Sequence, residues 1–234
     1  MPNKKYLCSI KTLQQAYHLF RKELLTEFRL KYAIGGILLY VASSVFVIYF
    51  SVLYQNAIEH ITPVLWSVFF WLVVLFAVVN AATRSFSQES NGRQLYYYTL
   101  ASPQAFILSK LLYNFIVSLV LSVLSLLIFS TMLGNPVERN MLFFIAVLLG
   151  STSYSFLFTL ISAIAAKAGN SSTLSVVLGF PIVIPLLIFI VKLSREAFWT
   201  DLSSNFENNL FILLGFNVIL VILSLILFPY LWRD

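Results

Sequence analysis

Six stretches of this chain are apolar and long enough to cross a bilayer: residues 33–53, 63–82, 106–131, 141–166, 174–191 and 210–231. Each holds at least about the 17 residues that a helix needs to traverse the hydrocarbon core. Apart from Lys110, in the first turn of the third, none contains Asp, Glu, Lys, Arg or His. Within lipid every backbone N–H and C=O must be satisfied internally, so stretches of this length are expected as helices. Charged residues make up 10% of the chain, where soluble domains average about 25%. The pattern predicts an all-α integral membrane protein with six transmembrane helices, built as a single membrane domain over residues 1–234.

The first 32 residues differ in kind. Leu13, Tyr17, Phe20, Leu24 and Phe28 fall three to four apart, on one helical face, with Lys11, Gln15, Lys22 and Arg29 opposite. Glu27 and Lys31 stand at i, i+4 in the favourable order. Seven Lys and Arg lie between Lys4 and Lys31. This is the signature of an amphipathic interfacial helix, whose apolar face needs lipid, protein or both. No short apolar run followed by a cleavage site occurs before Lys31, so no signal peptide is expected. The one cysteine, Cys8, allows no intrachain disulfide and no cysteine metal cluster.

The net charge of +6 points to membrane topology rather than to nucleic acid. With the amino terminus inside, twelve of the fifteen Lys and Arg lie on the inner side. Only Arg139, Lys192 and Arg195 lie on the outer side. Such a bias predicts both termini inside. Trp66, Trp199 and Trp232 then fall at depths suited to interfacial belts. In the last outer segment Phe198, Trp199, Leu202 and Phe206 suggest a short helix dipping back toward the membrane. The fifth stretch carries Pro181 and Pro185, each of which removes a backbone donor, so a kinked or interrupted helix is expected there. The freed carbonyls would need protein or water partners, a hint of a bend or a cavity.

Absences narrow the chemistry. Carriers driven by protons or ions usually place ionisable groups at membrane depth, and Lys110 reads as an anchor at the inner interface. His18 and His60 lie outside the six stretches, and neither a His-Glu-x-x-His pair nor a Gly-x-x-x-x-Gly-Lys phosphate loop occurs. The chain is therefore not expected to be an enzyme. Any uphill movement must draw its energy from another subunit. Ser151, Thr152, Ser153, Tyr154, Ser155, Asn80 and Asn114 read as hydrogen-bonding groups between helices, with a substrate path as the alternative.

The most informative segment is residues 83–103, on the inner side between the second and third stretches. It holds Arg84, Glu89 and Arg93, a Gly92 able to break local structure, and the triplet Tyr96-Tyr97-Tyr98. From Arg93 onward Leu95, Tyr98, Thr99 and Ser102 fall at helical spacing. Ser102-Pro103 reads as the N-cap and first residue of the next helix. A short, charge-framed interfacial helix suits a groove on a soluble partner; taken alone, it reads more simply as a tyrosine-rich interfacial anchor.

Glu89-x-x-Gly92-x-x-Leu95, followed by Ser102-Pro103 and Lys110, resembles the loop between the second and third spans of type-2 ABC transporter permeases. More narrowly, the chain is similar to the CcmB family, the haem-exporter permeases of cytochrome c maturation. Phe20-Arg21-Lys22-Glu23-Leu24, Arg84-Ser85-Phe86 and the Gly179-to-Phe189 run through Pro181 and Pro185 carry that resemblance. It departs from the family where Arg93-Gln94 stands in place of the usual Leu-Glu and where the tyrosine triplet replaces a leucine-rich run.

The resemblance implies a permease in the bacterial inner membrane. It would pair with a cytosolic CcmA-like ATPase and with CcmC- and CcmD-like membrane proteins, surrounded by lipid and with two permease copies facing each other. ATP hydrolysis would be linked to haem delivery or to release of a haem-loaded chaperone. Arg84, Glu89, Gly92, Arg93, Leu95 and Tyr98 become the expected ATPase-coupling residues. His60 becomes an outer-side candidate for haem ligation, although an isolated histidine is more simply an ordinary loop residue. Haem is the expected cargo, and no resident cofactor or metal is expected. The competing expectations are a type-2 permease for a lipid-linked glycan, drug or peptide, and a non-transporting membrane scaffold.

Overall fold

The computed structural model describes residues 3–29, 31–54, 61–87, 101–168, 171–199 and 206–233. These residues form seven helices, and no strand occurs among them: α1 Asn3–Arg29, α2 Lys31–Tyr54, α3 Pro63–Ser87, α4 Pro103–Leu133, α5 Asn140–Lys167, α6 Ser171–Arg195 and α7 Phe206–Arg233. Six of them, α2 to α7, are long and apolar enough to cross a membrane. The expected spans are all present, several longer by a turn at one end.

α5 is the centre of the bundle and packs against α3, α4, α6 and α7. Of its membrane-length stretch 67% is buried, against 17% for α2, which lies at the periphery. Its composition explains the position. Gly150 and the run from Ser151 to Ser155 give it a narrow surface that neighbours can approach closely, as is usual where helices pack in lipid. A Cβ on Gly150 would overlap the ring of Trp71. A Cβ on Gly179 would stand 2.7 Å from the Phe158 ring, so α6 also comes unusually near α5. Trp71 is fully buried and its indole N–H donates to Ser194 Oγ at 2.8 Å, tying α3 to α6.

Some polar groups of α5 bond within the helix and others stitch it to its neighbours. Thr152 and Ser153 hydroxyls return to the Leu149 carbonyl at 2.7 and 2.8 Å. Ser118 donates to the Ser151 carbonyl at 3.2 Å, and the Asn217 amide reaches Thr152 Oγ1 at 3.5 Å. Asn114 Nδ2 donates to Thr159 Oγ1 at 2.9 Å and to Ser85 Oγ at 3.2 Å, joining three helices. Asn80, by contrast, faces outward and bonds its own helix at Phe76.

One expectation is narrowed and another corrected. α6 runs unbroken through Pro181 and Pro185. The two prolines lie one turn apart on its exposed face, so the donors that they lack are lost on the outer side of the bundle. Beside them an apolar cleft of about 400 Å³ opens between α3 and α6, lined by Leu72, Phe76, Phe158, Phe180 and Val183 among others. Trp66 is not a belt residue facing lipid. It is buried among the rings of Phe70, Phe129, Phe143 and Phe198, and its N–H donates to the Gly134 carbonyl at 3.1 Å. Gly134 ends α4 at φ 76°, a conformation that favours glycine. At the same end the Ala197 carbonyl accepts from the backbones of Glu138 and Arg139. Of the expected dipping helix, Phe198 is buried and Trp199 exposed; Leu202 lies outside the described residues, and Phe206 opens α7.

Candidate functional site, the loop-bearing end of the bundle

α3 closes at Ser87 and α4 opens at Pro103, so the two helices are the stalks of the loop that carries the expected coupling residues. Of those residues Arg84 sits, half-buried, in the last turn of α3. Glu89, Gly92, Arg93, Leu95 and Tyr98 lie outside the described residues, as does His60. Pro181 and Pro185 stand apart, on α6.

The α4 stalk begins as its sequence requires. Ser102 has extended backbone, φ −72° and ψ 144°, and its hydroxyl accepts from the Ala105 N–H at 3.3 Å, with Pro103 at the first helical position. This is an N-cap followed by a residue with no orphan donor to satisfy.

Two turns further on, Lys110 is fully buried, not held at an interface as expected. Its ammonium donates to the Ser85 carbonyl at 2.5 Å, which belongs to the other stalk. It lies 3.3 Å from Glu23 Oε2 on α1 and between two rings, 5.4 Å from the centroid of Phe86 and 5.6 Å from that of Phe106. Carboxylate, carbonyl and aromatic faces together make a site in which a cation is stable away from water. Phe106 in turn stacks on Phe228 of α7, the centroids 5.6 Å apart at 9°, and Trp232 touches both rings. For Glu23, burial pushes the carboxyl up. Lys110 and then Lys22 more than offset this, and the net position is below the ordinary carboxylate value.

α1 supplies a second contact. Gln15 Oε1 accepts from the Ser102 N–H at 3.5 Å and from its hydroxyl at 3.4 Å. The face of α1 turned to the bundle is therefore a mixed one, with Gln15, Ala16, Leu19 and Glu23. Leu13 and Tyr17, from the expected apolar face, remain 57% and 60% exposed. Sequence reasoning missed Glu23 and Gln15 as contacts, since neither belongs to the apolar face of α1. Their shared face, two turns apart, was the available clue.

Six membrane-length helices, one of them a hydrogen-bonded centre on which four others pack, define a multi-pass membrane protein. A family model described as CcmB protein matches residues 14–230, and the chain belongs to the CcmB family, the haem-exporter permeases of cytochrome c biogenesis. It is the membrane subunit type of a haem-exporting ABC transporter and is not catalytic by itself. No curated protein sequence matches the chain.

Proposed function

We propose that residues 83–103 dock a separate cytosolic ATP-binding subunit, and that ATP hydrolysis there drives haem delivery or release of a haem-loaded chaperone. The single observation that supports this is the construction of the stalks. A capped α4 start and a buried Lys110 bridging to Ser85 give the loop two fixed ends. A load applied to the loop is thereby passed to helices rather than absorbed by slack chain. Glu89 and Arg93 are the proposed first contacts, and Gly92 is a residue able to break local structure. Membership of the family and the inner bias of Lys and Arg support a bacterial inner-membrane protein with both termini in the cytoplasm. CcmC- and CcmD-like proteins and a second permease copy complete the proposed assembly.

The test is to tag the carboxyl terminus, solubilise the protein gently from its host and identify what co-purifies. An ATP-binding subunit arriving with small haem-handling membrane proteins is the expected result. Recovery of intact membrane complexes without any ATPase would overturn the proposal. In the reconstituted complex, Gly92→Pro and Glu89→Lys should each lower permease-dependent ATP turnover while leaving membrane insertion intact.

A further inference from the structure

Two polar contacts between α1 and the start of α4 are in register. Gln15 meets Ser102 and Glu23 meets Lys110. The partners are separated by the same eight positions on each helix, roughly 12 Å at the rise of an α-helix. Equal spacing in the same direction means that α1 runs alongside the first turns of α4 and in the same sense. Between the two polar contacts Ala16 is buried and Leu19 packs on the cluster of Phe86, Phe106 and Ile107. A single contact would leave a pivot. Two contacts about 12 Å apart, with apolar packing between them, fix an angle as well as a position.

The contacts also fall at telling places. One is the N-cap of α4, the last residue before the helix that leaves the loop. The other is the lysine that bridges to Ser85 in the final turn of α3. α1 thus bears on both stalks of residues 83–103, although nothing in its own sequence is a docking motif. We propose that Gln15 and Glu23 are positioning residues for ATPase coupling: through Ser102 and Lys110 they splint α1 onto both stalks, so that the two stalks and α1 move as one body. This rests on the docking assignment for residues 83–103. In this arrangement α1 is a part of the coupling device, not only a surface for lipid.

The experiment uses the full chain with its ATP-binding subunit in lipid nanodiscs. It reads ATP turnover per assembled complex relative to the free ATP-binding subunit. Glu23→Gln keeps the shape of the side chain and removes its charge. Gln15→Ala removes the second contact, is far from the buried charge and leaves the core untouched. The expected result is a fall in permease-dependent turnover of about tenfold for Glu23→Gln and about threefold for Gln15→Ala, the range of coupled networks. A role in folding alone would lower the yield of complex and leave turnover per complex unchanged, which would overturn the proposal. Should Glu23→Gln fail to assemble, Gln15→Ala decides by the same readout. If Glu89→Lys lowers turnover and neither α1 variant does, the splint is wrong and the docking assignment survives. If none of the three does, both are wrong.

Discussion

Glu23 Oε2 stands 3.3 Å from Lys110 Nζ, joining a helix outside the six membrane-length ones to a lysine with no solvent-exposed surface. Neither charge is well placed without the other. A lysine buried among Phe86, Phe106 and the Ser85 carbonyl needs a counter-charge, and α1 is the element that brings one.

The first prediction follows from that dependence. Glu23→Ala should destabilise the protein by about 3–5 kcal/mol, because it leaves a buried cation without its carboxylate. Replacing both partners, Glu23→Leu with Lys110→Met, should recover most of that loss, since apolar pairs often substitute for buried ion pairs at little cost. Thermal unfolding in detergent checks both. A double variant no more stable than the single one would show that the pair is not the source.

The same pair gives a pH dependence. Glu23 has its carboxyl held below the ordinary value of 4.5. Its contribution is therefore complete above that value and is lost as the pH falls through the lower, folded-state value. The groups facing it are Lys22 and Lys110. The thermal midpoint should hold steady down to about pH 5 and drop below it, and Glu23→Gln should lack this component. Parallel curves for the two proteins would refute the assignment.

Much of this arrangement was legible in the sequence, for reasons that can be traced residue by residue. Helices α2 to α7 followed from length and apolarity, because lipid admits so few alternatives. The α4 start followed from Ser102 and Pro103, whose chemistry is local. Lys110 was misplaced because a lone lysine near a span end reads as an anchor, and only tertiary contacts reveal that Glu23 and two rings enclose it. Trp66 was misplaced for the same reason: depth along the helix was readable, and the direction of its ring was not. The prolines of α6 suggested a kinked or interrupted helix; the helix is uninterrupted, and both prolines fall on one exposed face. The loop residues Glu89 to Tyr98 lie outside the described residues, so the structure adds their frame and not their own contacts.

A third prediction concerns the close approach of α5 to α3. Gly150→Ala should destabilise the protein by about 1–3 kcal/mol, the range for overpacking, because the added methyl meets Trp71. Trp71→Leu should relieve part of that clash when combined with it. Urea or thermal unfolding of the two single variants and the double variant would measure the coupling, and strict additivity would contradict the contact.

The fourth concerns the α4 N-cap. Ser102→Ala should cost about 1 kcal/mol through loss of the bond to the Ala105 N–H. Ser102→Asp should keep that cap while losing the hydroxyl donor to Gln15 Oε1. Hydrogen exchange at the first turn of α4 would report the difference, and equal exchange in the two variants would count against capping.

The contact of Trp71 with Gly150 also has a mechanical consequence. Close-packed interiors yield little, so this contact acts as a fulcrum for α3. The fulcrum is not central: Trp71 lies eight residues from Pro63 and sixteen from Ser87, roughly 12 Å and 24 Å along the helix. A small tilt of α3 about it therefore sweeps the Ser87 end about twice as far as the Pro63 end. The longer arm is the one that carries the loop, and the shorter one ends where Trp66 is clasped by four rings. A movement of α3 at the loop would by this geometry reach the opposite end of the bundle reduced by about half.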